Sequence, residues 1–233
     1  MLARLKKRYA SRARHSSDDV LLELCAEIAL PPSAALLDIG CGSGEATVRF
    51  GAALRARELF GLDGSVPQAR AAATRGVRVA IADFERPFPF ADARFHVIAL
   101  NQVIEHIRNL DLFVTELARI LHPGGHLLLA TPNLASWTNI AALVLQQQAF
   151  SQTISSRYHL GNRFSRAYRQ AIPYDFPQHC HLLTSRGLRD LLGMYGLTVR
   201  RLRGAGYFPF PDRPLARLDA GHAQYLVAHA VKQ

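Results

Sequence analysis

The chain has 233 residues, 49% hydrophobic and 20% charged, with 28 Lys+Arg against 18 Asp+Glu and a net charge of +10. That is ordinary globular composition, on a length suited to a single domain spanning 1–233. The longest clean apolar run, Ile140 to Leu145, is far short of the ~18 residues of a membrane-spanning helix, and the three cysteines (25, 41, 180) form no CxxC pair, which predicts a reducing, cytoplasmic setting without a disulfide framework.

The basic residues are 25 Arg and 3 Lys, spread along the chain except for one cluster in segment 1–17: Arg4, Lys6, Lys7, Arg8, Arg12 and Arg14, before the first acid at Asp18. The simplest reading is a solvated leading helix with Leu2, Leu5 and Tyr9 on one face. An anionic surface, an RNA contact or a transit segment are the functional alternatives. Ser16 or Ser17 then caps a helix with an apolar stripe at Leu21, Leu24, Cys25 and Ile28, stopped by Pro31-Pro32. Ala35 to Ile39 reads as a buried strand that runs into Gly40-Cys41-Gly42-Ser43-Gly44 and a second helix.

Further strands are predicted over 57–62, 77–82, 95–100, 126–131, 197–202 and 224–231. Helical patterns separate most of them, one opening at Ser65-Val66-Pro67 and another keeping Leu110, Phe113, Leu117 and Leu121 in register up to Pro123-Gly124-Gly125. This alternation predicts βαβ units and a doubly wound, mostly parallel sheet. Between 133 and 181 no strand signal appears, although the segment holds Trp137, Phe150, Tyr158, Phe164, Tyr168, Tyr174 and Phe176. A structureless stretch of that length is improbable inside a domain, so a helical cap over a site is expected.

The strongest signal is the glycine-rich turn after the first strand. Alternating glycines let the backbone turn tightly and approach a ligand, while the next helix points its free N–H groups at the same place. A dinucleotide fingerprint spaces its glycines as GxGxxG. Here the third glycine comes one residue early, at Gly44, and Glu45 holds the slot where Gly or Ala is wanted. A carboxylate there repels a pyrophosphate, so an uncharged or cationic ligand is favoured over NAD. Asp63, Asp83-Phe84 and Asn101-Gln102 end the next three strands, where open α/β sheets bind ligands. An acid at 63 suits ribose hydroxyls, and one at 83 suits an adenine amino group.

In these residues the chain resembles class I S-adenosylmethionine-dependent methyltransferases, closest to the small-molecule branch with the ubiquinone-type and natural-product enzymes. The likeness is densest in LLDIGCGSG (36–44), LFGLDGS (59–65), IADFERPFPFADARFHVIALNQVIEHI (81–107) and LARILHPGGHLLLATPN (117–133). It implies a Rossmann-like, seven-stranded sheet with an antiparallel last strand. It further implies that Gly40, Cys41, Gly42 and Gly44 pass under S-adenosylmethionine, with Asp38 toward its methionine end. Asp63 would hold the ribose, Gly64, Asp83 and Phe84 would meet the adenine, and Asn101 would lie near the sulfonium.

Methyl transfer needs alignment and a dry pocket, and a base only where the acceptor loses a proton. His106, beside Glu105, and His181, at the end of the cap, are the candidate catalytic residues; His159 inside the cap is a weaker one. The His179-x-His181 spacing hints at a metal, but no third ligand is evident, so none is expected. Arg157, Arg163, Arg166 and Arg169 read either as a fork set for an anionic acceptor or as a solvated helix face.

The expected activity is O- or N-methylation of a small molecule, converting the cofactor to S-adenosylhomocysteine. A nucleic-acid methyltransferase fits less well. Its exocyclic-amine form carries Asp/Asn-Pro-Pro-aromatic where this chain has Asn101-Gln102-Val103-Ile104, and no cysteine follows a proline as the cytosine-C5 enzymes require. A cofactor-binding protein without catalysis is the other alternative.

Overall fold

A computed structural model describes residues 17–173, 178–207, 215–216 and 218–233. The basic cluster before residue 17, Tyr174 and Phe176 lie outside the described residues. Helix α1 (17–26) leads into β1 (Ala35–Ile39), α2 (Glu45–Leu54), β2 (Glu58–Asp63), α3 (Val66–Ala73), β3 (Arg78–Ile81) and β4 (Phe95–Asn101). A 3-10 turn (Ile104–His106) precedes α4 (Leu110–Ile120), β5 (Leu121–Pro132), α5 (Trp137–Val144), α6 (Ser185–Met194), β6 (Leu197–Ala205) and β7 (Tyr225–Lys232).

The seven strands form one sheet in the order β3-β2-β1-β4-β5-β7-β6. The first five run parallel, and β7 is antiparallel to both β5 and β6. Strand order reverses between β1 and β4, so the loops leaving their carboxyl ends diverge and open a crevice.

Alternation along the strands sorts side chains to two faces. Leu37, Ile39, Ile98, Leu100, Leu127 and Leu129 pack with Phe113, Val114 and Leu117 of α4 and Leu188 and Leu192 of α6. Leu36, Val97, Ala99, Leu128 and Ala130 face Leu21, Leu24 and Cys25 of α1 and Phe50 and Leu54 of α2. Both faces are covered, which is why these strands read as continuous apolar runs.

Two expectations are revised. Pro123-Gly124-Gly125 does not lie outside the sheet: β5 begins at Leu121, and the register jumps from Phe95↔Leu121 to Val97↔His126, so 122–125 bulge from the ladder with Gly124 at φ 72. In the cap, α5 is the one helix among the described residues. Beyond it, turns are held by side-chain bonds such as Asn162 Nδ2 to Gln148 O (2.6 Å) and Phe150 N to Asn139 Oδ1 (2.9 Å). Asn139 and Asn162 are buried, and their amides satisfy backbone groups that a helix would have paired internally.

Candidate active site

The glycine turn is assembled from both sides. Gly40 N donates to Leu62 O (2.7 Å), and Gly42 N donates to Asp63 Oδ2 (2.8 Å). The three glycines serve different ends. A Cβ on Gly40 would lie 2.6 Å from Val103, and one on Gly44 would lie 2.9 Å from Ala72 of α3. A Cβ on Gly42 would meet nothing within 4 Å, but its φ of +51 still favours glycine. Gly40 and Gly44 thus permit close packing, whereas Gly42 opens to empty space. Cys41 turns its side chain away from the crevice onto Gly61, Ala72 and Val77, and burial pushes its thiol up to about 12.

Carboxylates gather around this turn. Asp63 accepts from Gly42 N and from Ser65 N (2.8 Å), so both its oxygens are oriented by backbone donors and each keeps a second lone pair. Ser65 stands at the N-cap of α3 without a side-chain cap bond, and its own N–H donates to Asp63. Asp38 is buried, with Thr47 Oγ1 donating to it at 2.5 Å. Burial pushes its carboxyl up to about 7, against the Thr47 bond and assisted by the charges of Asp63 and Asp18. Asp18, from α1, also accepts from Asn101 Nδ2 at the end of β4. In a chain of net charge +10, this crevice is locally acidic, which suits a cation.

Asp83 and Phe84 follow β3, two strands from the glycine turn. Asp83 is exposed, accepting from Glu85 N (3.0 Å) and lying 3.7 Å from Arg86, while Phe84 packs on Phe113. Gly64 is exposed after β2.

At the end of β4 three buried polar atoms have no hydrogen-bond partner among the described residues: Asn101 Oδ1, Gln102 Nε2 and Glu105 Oε1. Gln102 sits at φ 59, held by its N–H to Ala130 O (2.8 Å). Orphaned buried atoms cost about 1–3 kcal/mol each, and three within five residues make this corner a candidate ligand contact. Glu105 is 1% exposed; its Oε2 accepts from Thr131 Oγ1 (3.1 Å), and burial pushes its carboxyl up to about 7.

The end of the cap is laced to this corner. Cys180 N and His181 N both donate to Glu105 O (2.7 and 3.2 Å), and His106 Nδ1 contacts Gln178 O at 2.9 Å. The histidine that meets His106 is His179, with ring centroids 4.8 Å apart. His181 instead turns its Nε2 to Arg108 O (3.2 Å). His179 also lines a cavity of about 150 Å³ inside the cap, with Ser151, Tyr158, Leu160 and Asn162. His159 lines the same cavity. The four cap arginines are exposed and do not line it, so they read as a solvated face.

Two residues of the site carried no functional signal in the sequence: Asp18, the first acid after the basic segment, and Thr131, the end of a predicted strand. Gln102 was legible beside Asn101 at a strand end. His179 was visible only as half of His-x-His.

A doubly wound sheet with an antiparallel last strand, a glycine turn after β1 and an acid ending β2 is the architecture of class I S-adenosylmethionine-dependent methyltransferases. Residues 9–202 match the family described as "Methyltransferase domain", and the chain belongs to it. It is 26% identical over 203 residues to the ubiquinone biosynthesis O-methyltransferase of Nitrobacter winogradskyi, covering 84% of this chain and 69% of that one. It is 30% identical over 186 residues to that of Mesorhizobium japonicum, covering 76% of this chain but only 65% of that one. A solved structure of a putative S-adenosylmethionine-dependent methyltransferase from Listeria monocytogenes superposes with a TM-score of 0.63 at 15% identity, over 93% of this chain and 97% of that one. S-adenosylmethionine is the cofactor of this family, and the acidic crevice with its orphaned amide atoms suits a cationic nucleoside. Among the described residues no helix is long and apolar enough to cross a membrane.

Proposed function

We propose that this chain methylates a hydroxyl oxygen of a small molecule held between the end of β4 and the cap cavity. The observation that carries the reading is the set of unpartnered atoms on Asn101, Gln102 and Glu105, directly beside the glycine turn. When bound, S-adenosylmethionine supplies a methyl group on an electrophilic sulfonium. Asp63 is oriented to accept from the ribose hydroxyls, and Asp38, backed by Thr47, to take the cationic amino group of the methionine end. Asp83 and Phe84 would border the adenine across β2.

Between Asn101 and the cap, water must be excluded and the acceptor aligned, and such positioning is worth on the order of 7–11 kcal/mol. The corner formed by Glu105 and His106 is where an acceptor proton would leave. His181 supports that corner from behind, through Arg108. The relatives named as ubiquinone O-methyltransferases favour oxygen over nitrogen as the acceptor atom.

Calorimetric titration with S-adenosylhomocysteine tests the cofactor half: saturable binding is expected. Asp63→Ala should weaken it by about 1–3 kcal/mol, roughly 5- to 150-fold, through lost bonds to two hydroxyls. An intact fold that shows no heat of association overturns the reading. A panel of phenols, catechols and amines, followed by mass spectrometry, tests the acceptor half.

A further inference from the structure

We propose that Glu105, His106 and His179 form a binding site for a single borderline divalent cation of the zinc type. The sequence hinted at a metal only through His179-x-His181 and lacked a third ligand. In the structure the third comes from the 3-10 turn after β4, and His106 replaces His181. The ligating atoms of the three side chains all lie within 4.8 Å of one another.

Two independent features point to a ligand there. Glu105 is 1% exposed, yet its Oε1 has no hydrogen-bond partner, while Oε2 is held by Thr131. A buried carboxylate oxygen without a donor is costly unless a cation or proton meets it. The second feature is the state of the imidazoles. His106 Nδ1 faces Gln178 O, and His179 Nδ1 faces Ser151 O. A carbonyl can only accept, so each Nδ1 carries the hydrogen, and in the neutral ring Nε2 then has the lone pair that a metal needs. Backbone carbonyls fixing the tautomer of ligating imidazoles is the usual outer shell of a histidine metal site.

The donor set selects the ion. Two imidazoles and one carboxylate suit zinc or a neighbouring transition metal, whereas magnesium and calcium prefer all-oxygen surroundings. With bonds of about 2.0–2.2 Å the ion would draw the three groups together by roughly 1 Å and leave a position open for an outside ligand. The cation would also tie the cap, through His179, to the end of β4. Resting on the methyl-transfer reading, the open position would take the acceptor's hydroxyl oxygen. The bound hydroxyl would release its proton to water near neutral pH, and the three side chains would act through the ion.

The test uses the full chain freed of metal with a chelator and titrated with zinc or magnesium, without S-adenosylmethionine. One zinc per chain is expected, with no measurable magnesium binding. His179→Gln and Glu105→Gln should each weaken zinc binding at least tenfold, and S-adenosylhomocysteine affinity of the His179 variant should stay within twofold. If His179→Gln does not fold, the near-isosteric Glu105→Gln decides alone. Substoichiometric zinc, preference for magnesium, or equal affinity in the variants overturns the proposal; the last would place zinc elsewhere, as on the His126–His229 pair. Because the titration needs no nucleoside, loss of S-adenosylhomocysteine binding with zinc retained would sink only the methyl-transfer reading.

Discussion

Asp38 has a carboxyl that the folded chain can ionise only with difficulty. It is enclosed, near Asp18 and Asp63, and its carboxyl is pushed up to about 7. A folded-state value above the unfolded one means that the native state binds the extra proton between about pH 4 and 7. The associated stability is present below that window and lost as pH rises through about 7. Asp38→Asn, which keeps a partner for Thr47, should therefore raise the apo melting temperature at both pH 5.5 and pH 8, and by more at pH 8. The same variant should bind S-adenosylmethionine more weakly at pH 8, since an amide cannot pair with the cationic amino group. Thermal melts at both pH values, with and without nucleoside, check the prediction. Equal affinity of the two proteins at pH 8 would remove Asp38 from the cofactor site.

Among the elements, the contact of α2 with α3 depends on one missing atom. Gly44 combines φ +80 with a would-be Cβ at 2.9 Å from Ala72 Cβ and 3.0 Å from its Cα. Gly76, just past α3, has φ +82 and open space around it. Gly76→Ala should cost only the left-handed strain, about 1–2 kcal/mol. Gly44→Ala should add overpacking and cost about 2–4 kcal/mol. Urea denaturation of the two variants separates the contributions, and equal losses would show that α3 can shift freely. The same contrast explains which parts were legible in the sequence. Strands β1, β4 and the 126–131 stretch of β5 were visible because burial on both faces makes their residues almost continuously apolar. The glycine turn was visible because a left-handed backbone at 40, 42 and 44 admits little else. The 122–125 bulge was read as a helix stop, since Pro-Gly-Gly punctuates either. The cap was hardest: its order rests on buried amides of Asn139 and Asn162 and on the docking of 178–181 onto Glu105, long-range bonds that leave no period in the sequence.

Across the whole molecule, charge is distributed against its total. The exterior is rich in arginine, while Asp18, Asp38 and Asp63 make the crevice acidic, and the sheet's other end carries a pair of histidines on β5 and β7. His126 Nδ1 and His229 Nε2 lie 2.9 Å apart, so one ring donates to the other. Burial holds both below the usual histidine range, and His229, with His126, Arg201 and Arg200 also disfavouring its charge and Glu27 favouring it, falls to about 4. Here the folded value lies below the unfolded one of about 6.5. The unfolded chain binds the extra proton between those limits, so this pair's contribution is present at neutral pH and is lost as pH falls from about 6.5 to 4. Asp38 and Glu105 slope the other way over an overlapping range, which makes the wild-type profile alone uninformative. The difference between wild type and His229→Gln isolates the pair. Urea midpoints at pH 5 and pH 7.5 should show the wild type losing more stability on acidification than the variant, by an amount insensitive to nucleoside. Parallel profiles would mean that the two rings can be protonated without separating β5 from β7.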